Sequence, residues 1–201
     1  MYNARPVMER SVEYALIRRA KEGDEEAVEA LIRAHQDALY AFILRMSGRR
    51  ETAEDIVQEA FVRVLKNLHR FDSRFRFSTW LFTIAKRLYM NLNQKLGPAY
   101  DTDLVQGSPI EATGPGGQTA RTETMDNARL LIDAALAALP AQQREIMLLF
   151  HQQSWPIAEI AEHLDMPQGT VKSHLHRGRG RMRRFIEANR AMHRHVQEVF
   201  S

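Results

Sequence analysis

The sequence predicts an all-α protein: two small helical domains joined by a flexible linker. Apolar residues recur at helical spacing through the first 95 residues and again after residue 125. No run of period-two alternation, the mark of a half-buried strand, appears anywhere. Between the two blocks, residues 96–124 contain Gly97, Pro98, Gly107, Pro109, Gly114, Pro115, Gly116 and Gly117, a composition that disfavours helix and strand alike. The predicted organisation is a first domain over 1–95, a linker over 96–124, a second domain over 125–187 and a tail over 188–201, for which a short helix but no function is expected. As a flexible coil the linker averages about 30 Å end to end and reaches roughly 100 Å when stretched, so the domains can sit apart on an extended partner.

Composition narrows the class. With 201 residues, 44% hydrophobic and 26% charged, the chain can bury a core. The absence of Cys excludes disulfides, thiolate nucleophiles and Cys-ligated zinc, and fits a reducing compartment. No stretch approaches the ~20 apolar residues of a membrane span, and Met1 to Arg10 lacks the apolar run of a signal peptide. A cytoplasmic protein without membrane insertion is expected. The net charge of +3 matters less than its distribution. Between Gln168 and Ile186 lie Lys172, Arg177, Arg179, Arg181, Arg183, Arg184 and two His, with no acid, which suits a polyanionic partner and equally a plain solvated face.

In the first domain, Val57, Ala60, Phe61, Val64 and Leu68 form one stripe of a helix predicted over Asp55 to Leu68, with Thr52 as N-cap. The opposite face carries Asp55, Gln58, Glu59, Val62 and Lys66, a pattern that serves solvation or protein docking. An aromatic and basic stretch follows, Arg70-Phe71-Asp72-Ser73-Arg74-Phe75-Arg76-Phe77, then a helix from about Ser78 to Asn93 with Leu81, Ile84, Ala85, Leu88 and Leu92 inward. Arg87, Trp80 and Asn91 share a flank of that helix and Lys86 lies elsewhere on it. Interleaved rings and cations suit unstacked bases and phosphates, although Trp80 and the loop rings fit a core as well.

In the second domain, Leu139-Pro140 opens a helix with Ile146, Leu149 and Phe150 buried, followed by a helix over Ile157 to Leu164, a break at Asp165-Met166-Pro167 and a third helix from about Gln168. This is helix-turn-helix spacing. Ile157, Ile160, Ala161 and Leu164 are expected to face inward. On the third helix Val171, Leu175, Gly178 and Met182 fall within about 60° of one another, while Lys172, Ser173, His176 and Arg177 point outward, where donors can read base edges.

These residues resemble a known family. Asp55-Ile56-Val57-Gln58-Glu59-Ala60-Phe61, Phe71-Asp72 and Phe77-Ser78-Thr79-Trp80-Leu81-Phe82-Thr83-Ile84-Ala85 resemble region two of the sigma-70 family of bacterial transcription initiation factors. Leu139-Pro140 with Arg144, Glu159-Ile160-Ala161, and Gly169-Thr170-Val171-Lys172-Ser173 with Leu175-His176-Arg177 resemble region four. Two such regions joined by a short linker match the extracytoplasmic function (ECF) group. The resemblance implies a factor that binds core RNA polymerase, at the β′ clamp helices and the β flap, and directs it to promoter DNA. It implies that Asp55, Gln58, Glu59, Val62 and Lys66 dock on the clamp helices; that Arg76, Trp80, Lys86, Arg87 and Asn91 lie against the −10 element and capture a flipped base on melting; that Gln168, Lys172, Ser173, His176 and Arg177 contact the −35 element; and that Arg181, Arg183 and Arg184 meet backbone phosphates. An anti-sigma factor is an implied partner. No cofactor, metal or catalytic residue is implied.

Four positions depart from the family pattern. Pro156 stands where Ser or Thr usually caps a helix, with Ser154 as the alternative cap. His174 takes a place often filled by Arg. Gly178 and Gly180 interrupt the recognition helix, so the arginines beyond Gly180 are expected on a frayed segment. A LuxR-type helix-turn-helix regulator shares Thr170-Val171-Lys172-Ser173-His174-Leu175, but would carry a sensory or receiver domain upstream. An enzyme such as a recombinase would need a nucleophile or clustered carboxylates with a phosphate loop beside them, and none accompanies Asp55, Glu59 or Asp72.

Overall fold

The computed structural model describes residues 8–96 and 120–199. Among these residues there are eight α-helices, a single 3-10 turn and no strand. The first half contains α1 (Arg10–Lys21), α2 (Glu25–Ser47), α3 (Arg50–Lys66), the 3-10 turn Leu68–Arg70 and α4 (Phe77–Leu96). The second half contains α5 (Ala120–Ala137), α6 (Ala141–His151), α7 (Ile157–His163) and α8 (Gln168–Val199).

Local chemistry sets most helix boundaries. Asp24 caps α2 by accepting from Ala27 N at 3.1 Å, and that bond together with Arg19 holds its carboxyl below the usual carboxylate range. α2 stops at Gly48, whose φ of 71° suits a residue without Cβ. Thr52, predicted as the N-cap of α3, lies inside that helix; the preceding turn is closed by Ser47 Oγ, which accepts from Arg49 N at 3.2 Å. Ser154 does not cap α7. It adopts a left-handed φ of 55° one residue before Trp155, and α7 starts after Pro156 with no side-chain cap.

Two further expectations are corrected. The predicted linker falls largely on 97–119, outside the described residues, but its last five positions are helical. Residues 118–139 contain neither Gly nor Pro, so nothing in the chain stops α5 from beginning at Ala120. The fraying expected at Gly178 and Gly180 does not occur, because α8 runs unbroken to Val199. Gly178 earns its place through close packing: a Cβ there would lie 3.1 Å from both Cγ and Sδ of Met147 on α6. A Cβ at Gly180 would meet nothing within 4 Å.

Each half buries its own apolar stripe. Leu31, Leu39, Phe42 and Ile43 of α2 pack with Ile56, Ala60 and Val64 of α3 and Leu81, Phe82 and Ala85 of α4. Ile146 and Leu149 of α6 pack with Ile160 of α7 and Val171 and Leu175 of α8, while Phe150, Ile157 and Leu164 are only half-buried. The halves also touch. α2 meets α5 and α6, and α4 meets α7. Arg45 pairs with Asp133 at 2.9 Å and Gln152 at 3.0 Å. Arg144 donates to the carbonyls of Leu136, Ala137 and Leu139 at the end of α5 and to that of Met46 at the end of α2, so one guanidinium serves two helix C-termini. A long tether permits contact as readily as separation; complementary side chains on both faces decide for contact.

The two glycines of α8 provide a test. Gly180→Ala should raise unfolding stability by about 0.5–1 kcal/mol, since it adds helix propensity without a clash. Gly178→Ala should gain less or lose stability because Met147 must move aside. Urea unfolding of both variants measures the order, and a larger gain at Gly178 would contradict the packing described.

Candidate nucleic-acid interface

The second half presents a helix-turn-helix. After α7 the chain turns through Asp165, at φ 50°, with Met166 N bonded to Ala161 O at 3.0 Å, and Pro167 O then accepts from Thr170 and Val171 N to start α8. Val171, Leu175 and Gly178 are buried, whereas Gln168, Lys172, Ser173, His176 and Arg177 are all exposed along the outer face. Ser173 Oγ also donates to Gly169 O at 2.9 Å. His174 is half-buried, and burial together with the nearby Arg177 charge pushes its pKa down from the ordinary value, so at neutral pH it adds no charge to this face. Arg183 and Arg184 are exposed on the next turns; Arg181 donates to the buried Gln143 Oε1 at 2.9 Å.

In the first half, Asp55, Gln58, Glu59, Val62 and Lys66 are all exposed on α3, with Val62 at 39%. Glu59 pairs with Arg63 one turn on, at 2.6 Å, leaving a mixed polar face around one aliphatic side chain.

The loop before α4 sorts its rings. Phe71 and Phe77 are buried, with centroids 5.3 and 6.1 Å from Trp80, which is itself half-buried; Phe75 is 46% exposed between Arg74 and Arg76. Asp72 shapes the turn by accepting from Arg74 N at 2.9 Å and Arg74 Nε at 2.8 Å, and the Arg74 guanidinium holds its carboxyl below the usual range. α1 reaches over the loop: Tyr14 OH donates to Ser73 O, Arg10 donates to Arg74 O at 3.0 Å, and Lys21 donates to Phe71 O at 3.0 Å. Arg87 and Asn91 are exposed on α4. Arg76 and Lys86 are half-buried and engaged by the second half: Arg76 Nε is 3.3 Å from Glu159 and Lys86 Nζ is 2.8 Å from Glu145.

Residues 31–95 match the family model for Sigma-70 region 2, and residues 129–182 match that for Sigma-70 region 4. The ECF RNA polymerase sigma factor SigW of Bacillus subtilis is 33% identical over 180 residues, covering 84% of this chain and 93% of that protein. The chain belongs to the ECF RNA polymerase sigma factors. SigL of Mycobacterium tuberculosis is 33% identical over 159 residues, covering 77% of this chain and 88% of its own, and the sigma-E factor of Escherichia coli K12 is 26% identical, covering 85% and 92%. In fold, the chain is similar to CnrH in its complex with the cytosolic domain of CnrY, with TM-score 0.64, 21% identity and coverage of 88% and 98%. It is similar also to RpoE of Bartonella quintana in complex with the anti-sigma factor NepR, with TM-score 0.64, 24% identity and coverage of 79% and 96%.

As an ECF sigma factor, the chain is a transcription initiation factor that directs RNA polymerase to promoters. The LuxR-type reading is not favoured, since the region-2 match fills the part of the chain where that class would carry a sensor. No helix among the described residues is long and apolar enough to cross a membrane. The sequence reading of the sigma factor missed Phe75, because three similar rings in one loop give no periodic signal for which is free. It also missed Glu145. The available clue was a carboxylate set three and four residues before Leu148 and Leu149, on a face that is otherwise apolar.

Tyr14 offers a check on the loop. Tyr14→Phe removes the hydroxyl that anchors Ser73 O, and amide hydrogen exchange across 73–76 should quicken, with a global stability loss of only about 1 kcal/mol. Unchanged exchange there would mean that α1 does not hold the loop.

Proposed function

We propose that this ECF sigma factor divides its work among the surfaces just described. The first module, predicted over 1–95, carries core polymerase binding and −10 recognition; the second, over 125–187, carries −35 recognition; and the segment between them runs through the enzyme. The exposed α3 set of Asp55, Gln58, Glu59, Val62 and Lys66 docks on the β′ clamp helices. Trp80, Lys86, Arg87 and Asn91 on α4, with Arg76 in the loop, meet the −10 element, and the exposed Phe75 ring joins them as a stacking platform for an unpaired base. Melting is then driven by capture of exposed bases, and the factor works as a binder with no catalytic group of its own. Gln168, Lys172, Ser173, His176 and Arg177 read the −35 duplex, while Arg183 and Arg184 neutralise phosphates. Arg181 joins them with the donors it does not give to Gln143.

One observation carries the reading: over residues 168–186, α8 buries Val171, Leu175 and Gly178 on one edge and exposes an acid-free, cation-rich edge opposite. Such a helix is fixed in orientation by its core side and presents cations and polar groups able to donate outward. The factor acts in the cytoplasm, where the polymerase is. An anti-sigma factor is a fitting regulator, since the structurally similar CnrH and RpoE were solved with CnrY and NepR bound.

Reconstituted transcription tests the assignment. Added to bacterial core polymerase with a library of promoter fragments, the full chain should yield specific initiation on a subset. Lys172→Ala and Arg177→Ala should each reduce initiation about tenfold or more through upstream-element recognition while sparing polymerase binding. Loss of polymerase binding in both would show that α8 has the wrong role, and no initiation on any fragment would reject the reading altogether.

A further inference from the structure

α1 lies ahead of residues 31–95, the part of the chain that matches region 2, yet one of its edges is given over to a loop inside that part. At 100° per residue Arg10, Tyr14 and Lys21 fall within about 40° of one another, and each donates to a main-chain carbonyl of the loop before α4. Lys21 Nζ reaches Phe71 O at 3.0 Å, Tyr14 OH reaches Ser73 O, and Arg10 Nη2 reaches Arg74 O at 3.0 Å. The donors are also linked to each other: Arg10 Nε donates to Tyr14 OH at 2.7 Å, and the same hydroxyl stands 3.5 Å from Phe75 O. From beneath, Glu13 pairs with His35 of α2 at 3.1 Å, and the His35 ring lies 5.2 Å from that of Phe77, which in turn borders Trp80. α1 is therefore seated on the same rings that floor the loop.

We propose that Arg10, Tyr14 and Lys21 are positioning residues for base selection: by fixing the carbonyls of Phe71, Ser73 and Arg74 they hold the exposed Phe75 ring in the geometry that discriminates one unpaired base from another. The inference rests on the reading of Phe75 as a stacking platform. A bond to a main-chain oxygen fixes the peptide plane whatever side chain the residue bears, and three fixed planes within four residues leave little freedom to the residue that follows. The Asp72 turn closes the loop from within through Arg74 N, and α1 closes it from outside. Stacking on a ring and attraction to phosphates tolerate any sequence, so they give affinity without choice. Choice among bases needs polar and apolar edges at fixed places, and a loop already ordered in the free protein loses little further entropy on binding. Loosening the hold of α1 should accordingly erase preference before it erases affinity.

The test uses holoenzyme assembled from the full chain and bacterial core polymerase, with labelled single-stranded oligo-A, oligo-C and oligo-T DNA as probes and core polymerase alone as the blank. The parent should prefer one of the three by about fivefold or more. Tyr14→Phe, which removes one donor without changing charge, should bring the three within about twofold of one another, while polymerase binding and the salt dependence of DNA binding stay as in the parent. Lys21→Met should do the same, and Lys21→Arg should keep the preference. Phe75→Leu separates the two levels of the argument. A preference that Phe75→Leu abolishes and Tyr14→Phe leaves whole overturns the role of α1 and leaves the reading of the loop intact. A preference untouched by Phe75→Leu, or no preference in the parent, overturns base selection by the loop and the role of α1 with it. A salt slope that falls by about one in Lys21→Met marks that residue as a phosphate contact and overturns its positioning role.

Discussion

A carboxylate withdrawn from water must be matched by a cation or by several donors, and Glu145 is the place where this protein meets that demand across its two halves. It lies on the face of α6 that otherwise buries Ile146, Leu148 and Leu149. Its matches, Lys86 and His163, come from α4 and α7. The angle between the halves is therefore coupled to side chains on the α4 face proposed for nucleic acid. The Arg45–Asp133 pair and the Arg144 clasp on Met46 O sit at the far end of the same seam.

Much of the fold was readable because helix periodicity is a local signal. The inner and outer edges of α8, the stripe of α3 and the tight break at Asp165 follow from residues within two turns of one another. What escaped was decided at longer range. Thr52 has the chemistry of a cap, but Ser47 closes the preceding turn and the helix starts earlier. Gly180 weakens a helix on propensity alone, yet one such penalty is small against the burial of Val171 and Leu175 beside it. Gly178 looks like the same defect and is instead the gap that admits Met147. The seam was invisible because it pairs residues 59 to 115 positions apart, such as Lys86 with Glu145 and Gln153 with Ala38, and no local pattern encodes such a pairing.

The candidate site shows a similar division. The exposed sets on α3 and α8 emerged as the sequence pattern placed them, because an amphipathic helix has one buried edge and the remainder is surface. Arg76, Lys86 and Trp80 were less legible. Their environment depends on partners from another element: Glu159 and Glu145 for the cations, Phe71 and Phe77 for the indole. Phe71, Phe75 and Phe77 are chemically alike in the sequence. The first follows the 3-10 turn and the last begins α4, so both are drawn under the loop, while the turn built by Asp72 pushes the middle ring outward.

The length of α8 has a mechanical consequence. Thirty-two residues in one helix make a rod of about 48 Å. The core of the second half holds it from Val171 to Met182, and Arg181 is tied to Gln143. A load applied further along the rod meets that clamp before it reaches the turn bearing Lys172 and Arg177. Gly180, with no Cβ and no neighbour within 4 Å of where one would be, is a point of weak helix preference that this clamp spans.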